Sequence, residues 1–292
     1  MRFLNIGHIA ETVARFAHAV NGKHVEDAAD LAEAYREAIA KLRPFAPAEA
    51  GVAITYEDGR WARHCRAEGI FEHIFAGATA TDGPTREAWD MKVHGAFEHV
   101  RTLDPNLHRL AELFVTDVVV LNSGVDGGGS ANTLPGVVVM SPAETWEVPD
   151  FAECLVHEAL HTGLFVMDMA YGMFNLTSRE MEGERYRALS AVKLGQMRPL
   201  DKAFHAAAVT VPLMYMQHLR GVSTLVDLYT SSLRQACESL GHQRQHFTDY
   251  GRLLLDEMTE WAGTGPEPLD FGHVARSISS VRYAGYKPAV AA

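Results

Sequence analysis

The β-branched run Gly136-Val137-Val138-Val139-Met140-Ser141 is followed by Pro149-Asp150-Phe151-Ala152-Glu153-Cys154-Leu155-Val156-His157-Glu158-Ala159-Leu160-His161, and these two stretches decide the fold. The first reads as a strand, because Val packs well on a pleated surface. The second reads as a helix that opens at Pro149-Asp150, with Asp150 as N-cap, Glu153 as its capping-box partner and apolar residues beginning at once. On that helix His157 and His161 stand four apart on one face, where both imidazoles can aim at a point about 2.0–2.1 Å from each nitrogen. Glu158 falls beside that face, positioned to touch a metal-bound water or a supporting group. Histidines set among Cys154, Leu155, Val156, Leu160, Leu164 and Phe165 are costly unless they hold something. His157 and His161 are read as metal ligands and Glu158 as the catalytic residue.

Upstream, Val115, Val118, Val119 and Val120 form a second β-branched run. The polar, glycine-rich stretch 122–133 between the runs contains Asp126-Gly127-Gly128-Gly129-Ser130, but no Gly-Lys-Ser/Thr follows and no helix begins there. It is expected to be a flexible loop between two strands rather than a phosphate cradle. Apolar residues recur at helical spacing over 5–42 (broken at Asn21-Gly22), 86–102, 105–115, 177–194, 200–219, 223–240 and 246–261. The expected fold is α+β and predominantly helical, with a small antiparallel sheet next to the metal-binding HExxH helix. A helical N-terminal lobe, 1–110, packs with a catalytic region, 111–292, or merges with it into one continuous domain.

Composition limits the function. Thirty-seven acidic against 26 basic residues give a formal charge of −11, which opposes the counterion release that drives nucleic-acid binding. Cys65, Cys154 and Cys237 are odd in number and form no CxxC pair, so neither a disulfide framework nor a thiolate zinc site is expected. His8, Glu11 and Arg15 interrupt the apolar residues of the N-terminus, which does not read as a signal peptide. No apolar run approaches the roughly 18 residues that span a bilayer. A soluble, cytoplasmic enzyme is expected. His242 and His246 repeat the four-residue spacing among Gly241, Gln243, Arg244 and Gln245, which reads as a solvated face.

Two histidines do not complete a site, and the third ligand decides the chemistry. Glu180 stands downstream as the glutamate of thermolysin-like zinc peptidases does, but in the densely charged stretch 177–185. His205 is the one strongly polar position on the apolar run 203–216.

The combination of His157 and His161, a preceding strand ending at Ser141, and Arg198-Pro199 followed by His205 resembles the HExxH-motif peptide-modification proteins, 2-oxoglutarate-dependent peptide β-hydroxylases of ribosomal natural-product pathways. The resemblance covers 115–217. It departs at Ser190-Ala191-Val192-Lys193, where an aromatic residue and an arginine are expected. It implies Fe(II) held by His157, His161 and His205, with 2-oxoglutarate and O₂ as cosubstrates. Three nitrogens on one face of an octahedral ion leave three positions open for them. Arg198 is assigned to the distal carboxylate of 2-oxoglutarate, which a guanidinium pairs bidentately, and Ser141 also to cosubstrate binding. Glu158 takes a supporting role, and the substrate is the β-carbon of a residue in a ribosomally made precursor peptide. The alternative is a zinc-dependent HExxH metallopeptidase with Glu180 as third ligand.

Overall fold

The computed structural model describes residues 1–279 and Gly285. Along the chain run α1 (Ile6–Asn21), α2 (Leu31–Ala40), β1 (Ala53–Thr55), α3 (Arg60–Glu68), α4 (Glu72–Phe75), α5 (Gly83–Leu103), α6 (Pro105–Phe114), β2 (Asp117–Val120), β3 (Gly127–Ser130) and β4 (Val137–Ser141). Then come α7 (Val148–Tyr171), α8 (Ser178–Met181), β5 (Arg187–Leu189), β6 (Met197–Pro199), α9 (Leu200–Leu219), α10 (Thr224–Gly241), α11 (Asp249–Ala262) and α12 (Phe271–Ile278). The architecture is α+β, mostly helical with small sheets. The described residues cluster into two compact units, one of Val13–Gly163 with Gly285 and one of Met1–Thr12 with residues 164–279, and the division falls within α7. Among the described residues no helix is long and apolar enough to cross a membrane.

Val13–Gly163 is built on a four-stranded sheet of order β1-β2-β4-β3. β1, β2 and β4 run parallel, and β3 runs antiparallel to β4 with Gly128 opposite Met140. The sheet is therefore mixed, not the antiparallel one expected. Val119, Leu121, Val137 and Val139 pack on one face with Trp61, Ala62, Cys65, Ile74 and Phe75 of α3 and α4. α7 approaches the other face at β3. Burial on both faces explains why the strands read as unbroken Val runs rather than alternating patterns.

The glycine-rich stretch is an edge strand where a flexible loop was expected, and the reason is space. A Cβ on Gly128 would stand 2.7 Å from Cys154 Sγ and 2.9 Å from Glu158 Oε1, and one on Gly129 would stand 2.9 Å from the Phe71 ring. Successive strand residues face opposite sides, so β3 is clasped between α7 and Phe71, and only glycine fits. Phe71 sits at φ 57, a left-handed conformation that costs a non-glycine residue roughly 1–2 kcal/mol.

A buried ion pair heads β2. Asp117 Oδ2 accepts from Arg43 Nη2 at 2.7 Å and Asp117 Oδ1 from Trp61 Nε1 at 2.9 Å, with both charged side chains 0% exposed. Arg43 Nη1 also donates to Thr116 Oγ1 and to the Pro135 carbonyl. Burial draws the Arg43 guanidinium below its ordinary pKa, and Asp117 pulls it back. Further along, a Cβ on Gly163 would lie 2.8 Å from the Phe114 ring, so α7 passes close over α6.

In the second unit α9 is buried almost throughout and packs with α10, α12 and the antiparallel pair β5–β6. Phe174, Phe204 and Phe247 form an aromatic cluster, and His8 Nε2 lies 2.7 Å from the Tyr250 hydroxyl while its ring stacks on Tyr171. Residues 177–194, expected to be one helix, break up into α8, a 3-10 turn at Glu184–Tyr186 and β5. The Thr177–Glu180 capping box does start a helix there, but it ends after one turn, just before Gly183. The Gly/Pro-punctuated tail carries α12, whose N-cap Asp270 accepts from the His273 backbone N–H. Helices α1, α2, α5, α6, α9, α10 and α11 lie where the periodicity predicts them.

Candidate metal centre

α7 begins at Val148, two residues before the expected cap. Asp150 lies inside the first turn, where its Oδ2 accepts the Glu147 backbone N–H at 2.8 Å. The helix then carries Cys154, His157, Glu158 and His161, of which Cys154 and Glu158 face β3.

His157 Nε2 and His161 Nε2 lie 3.1 Å apart. Two nitrogens bound at about 2.1 Å to one ion stand roughly 3.0 Å apart when they subtend a right angle and roughly 3.4 Å apart at the tetrahedral angle. The observed spacing falls in that range, so the pair suits a shared ion. Glu158 Oε1 is 3.8 Å from His157 Nε2. The Glu158 side chain is buried, and its Oε2 accepts from Ser130 Oγ at 2.7 Å. β3 therefore orients the carboxyl group next to the histidines.

Burial holds His157 down at about 4, which leaves a neutral imidazole at neutral pH. Burial pushes Glu158 up to about 7, against the pull of the Ser130 hydrogen bond. The Cys154 thiol is pushed well above its ordinary value by burial and then by Glu158, so it stays protonated and is a poor ligand.

His205 lies on α9, 6% exposed, with its ring 4.9 Å from that of Phe165, and burial holds it down at about 3. Arg198 is half-buried on β6 opposite Ala188 and makes no ion pair among the described residues. Ser141 ends β4, buried, and its hydroxyl shares a 2.8 Å hydrogen bond with Ser123. Glu180 is exposed; its Oε2 accepts the Thr177 backbone N–H and hydroxyl, both at 2.8 Å, and these bonds hold the carboxyl below its ordinary range.

The structure thus brings His157, Glu158 and His161 together, while His205, Arg198 and Glu180 belong to the other compact unit. Among the described residues no group of three or more His, Cys, Asp or Glu side chains is arranged to hold a metal ion. What is shown is a two-nitrogen pair with a carboxyl group beside it. Ser130 was missed because it sits in the stretch read as a loop. The signal for it was small residues directly between two β-branched runs.

Three histidines, His205 buried and His8 and His157 partly so, set a pH dependence. His8, His157 and His205 are held at about 4, 4 and 3, against an ordinary 6.5, in each case by burial. The unfolded chain takes up these protons first, so their contribution is complete above about pH 6.5 and is lost as pH falls toward 4. The melting temperature of metal-free protein is expected to drop steadily across that window, with His8→Phe showing a shallower drop. A flat melting temperature from pH 7 to 4.5 would contradict this.

No protein-family model matches the chain, and no curated protein is significantly similar to it.

Proposed function

We propose that the chain is a cytoplasmic Fe(II)/2-oxoglutarate-dependent dioxygenase that hydroxylates the β-carbon of a residue in a ribosomally made precursor peptide, with His157, His161 and His205 as nitrogen donors. The observation that carries this reading is the 3.1 Å approach of the His157 and His161 Nε2 atoms on one helix face, beside a buried carboxyl group. Imidazoles suit iron and zinc alike, so the third donor separates the readings. Glu180 is exposed and its carboxylate caps a helix, which counts against it as a ligand. That favours the histidine.

An iron(II) ion bound there supplies the coupling of 2-oxoglutarate decarboxylation to oxidation of a substrate C–H bond. The chain's own residues do the rest. His157 and His161 bind through Nε2, on a helix whose Thr162 hydroxyl donates to the Glu158 carbonyl. Glu158, held by Ser130, keeps its carboxyl group in one orientation beside the histidines. Arg198 is the cationic anchor proposed for the distal carboxylate of the cosubstrate. Ser141, assigned to the same role, has its hydroxyl engaged with Ser123.

One observation favours a second reading, a zinc hydrolase: the buried Glu158 carboxyl stands 3.8 Å from His157 Nε2, where a general base could reach a metal-bound water. The test is to incubate anaerobically purified protein with Fe(II), 2-oxoglutarate and O₂, with and without peptides, and to measure succinate. Succinate is expected, and His205→Ala should remove it while Glu180→Ala leaves it. Zinc-dependent peptide cleavage without succinate would establish the hydrolase instead.

A further inference from the structure

We propose that the outer edge of β3 seats an extended peptide segment, which pairs with the backbone of Gly128 and Ser130 and turns alternate side chains onto α7 beside Glu158. The substrate class rests on the peptide-hydroxylase reading; the docking mode rests on the sheet.

The strand order ends at β3, and among the described residues no other strand pairs with its outer side. The direction of its backbone groups follows from β4. The Met140 carbonyl accepts from the Leu121 N–H, and the Gly136 carbonyl accepts from the Thr116 and Asp117 N–H groups. The even-numbered residues of β4 therefore face β2, which leaves Val137, Val139 and Ser141 facing β3. Opposite Ser141 and Val139 stand Gly127 and Gly129, so these two glycines spend their N–H and C=O groups on β4. Gly128 and Ser130 point theirs out of the sheet.

Open edges invite pairing, and proteins usually block them with a charge, a proline or a covering element. β3 has neither charge nor proline: it is Gly-Gly-Gly-Ser, half-exposed throughout. Close packing against Cys154, Glu158 and Phe71 accounts for two of the glycines, but it does not require the outer edge to stay bare. An added strand gains affinity from main-chain hydrogen bonds and specificity from alternate side chains.

The register is what links this edge to the metal pair. Residues directly opposite one another in a sheet put their side chains on the same face. Ser130 sends its hydroxyl to Glu158, and a Cβ on Gly128 would touch the same carboxyl. A peptide residue paired opposite either one therefore presents its β-carbon on the α7 side. Its immediate neighbours point to the opposite face, toward the Phe71 side.

The test uses the full-length protein and a random-sequence peptide library. Selected peptides should show residue preferences at alternate positions. N-methylation at every second amide of a selected peptide should weaken binding roughly tenfold, the value of one lost hydrogen bond, and the intervening amides should tolerate it. On saturation with such a peptide, amide hydrogen exchange at Gly128 and Ser130 should slow at least severalfold, while Gly127 and Gly129 stay as they were. Selection of no peptide, an N-methylation scan without alternation, or unchanged exchange at Gly128 and Ser130 would each overturn the proposal. The readout is binding, without turnover. Peptides that bind in this way but yield no succinate would sink the hydroxylase reading and leave the docking mode standing, and succinate with a flat N-methylation scan would do the reverse.

Discussion

His161→Ala is expected to abolish tight binding of Fe(II), or of Co(II) as its surrogate, without unfolding the chain. Loss of a group that merely supports a ligand typically costs ten- to a hundredfold in metal affinity, so loss of one of two converging imidazoles should cost roughly a hundredfold or more. Alanine is the best helix former, and the His161 ring is only partly buried, so the helix itself should survive. Calorimetric titration measures the affinity, and melting curves give an independent check. A ligand that binds the native state alone raises its stability, so wild-type protein should melt higher with metal and the variant should not. Retained affinity in His161→Ala would remove this residue from the site and with it the shared-ion interpretation of the 3.1 Å spacing. Glu158→Gln is the informative partner, because the amide keeps the volume and can still accept from Ser130. It is expected to bind metal and to lose turnover, which separates holding the ion from using it.

Asp117→Ala should be the most damaging single change to stability. It would leave the Arg43 guanidinium, 0% exposed, without its carboxylate, and it would also strip the Trp61 indole of its acceptor. Breaking a buried pair by removing one partner costs about 3–5 kcal/mol, a large share of the 5–15 kcal/mol that holds a typical domain together. Urea unfolding should show a lower midpoint with an unchanged slope. The double variant Arg43→Met/Asp117→Leu should recover much of the loss, since it removes the stranded charge as well. If Asp117→Ala alone costs less than about 1 kcal/mol, the pair is not the keystone of this sheet.

Much of this fold was legible in the sequence, for identifiable reasons. Amphipathic periodicity located the long helices, and unbroken Val runs located β2 and β4, because both signals come from burial that local sequence records. The glycine strand was not legible, since its conformation is imposed by neighbours. Gly128 answers to Cys154 and Glu158, and Gly129 to Phe71, none of them close in sequence. Strand direction was hidden for the same reason: nothing in Val118 or Val138 says that their strands run parallel. In 177–194 periodicity correctly located a helix start, but the early stop at Gly183 was not visible. The site divides in the same way. The spacing of His157 and His161 is a property of one helix and needs no tertiary information. Ser130, which reaches Glu158 across 28 residues, is a property of the sheet.

The sheet order has a consequence for how the chain reaches its native state. Strands β2, β3 and β4 and the turn of α7 that carries His157 and His161 all lie between Asp117 and His161, and the Ser130–Glu158 contact closes a span of 28 residues. The contacts that add β1 and anchor the head of β2 close longer loops, 63 residues for Thr55 to Val118 and 74 for Arg43 to Asp117. Short loops close at lower entropic cost, and contacts that are local in sequence form sooner. Strand pairing around the histidines is thus expected to precede recruitment of the N-terminal segments when the full-length chain refolds, so the β3–β4 hairpin and the histidine-bearing helix come together before the sheet is complete.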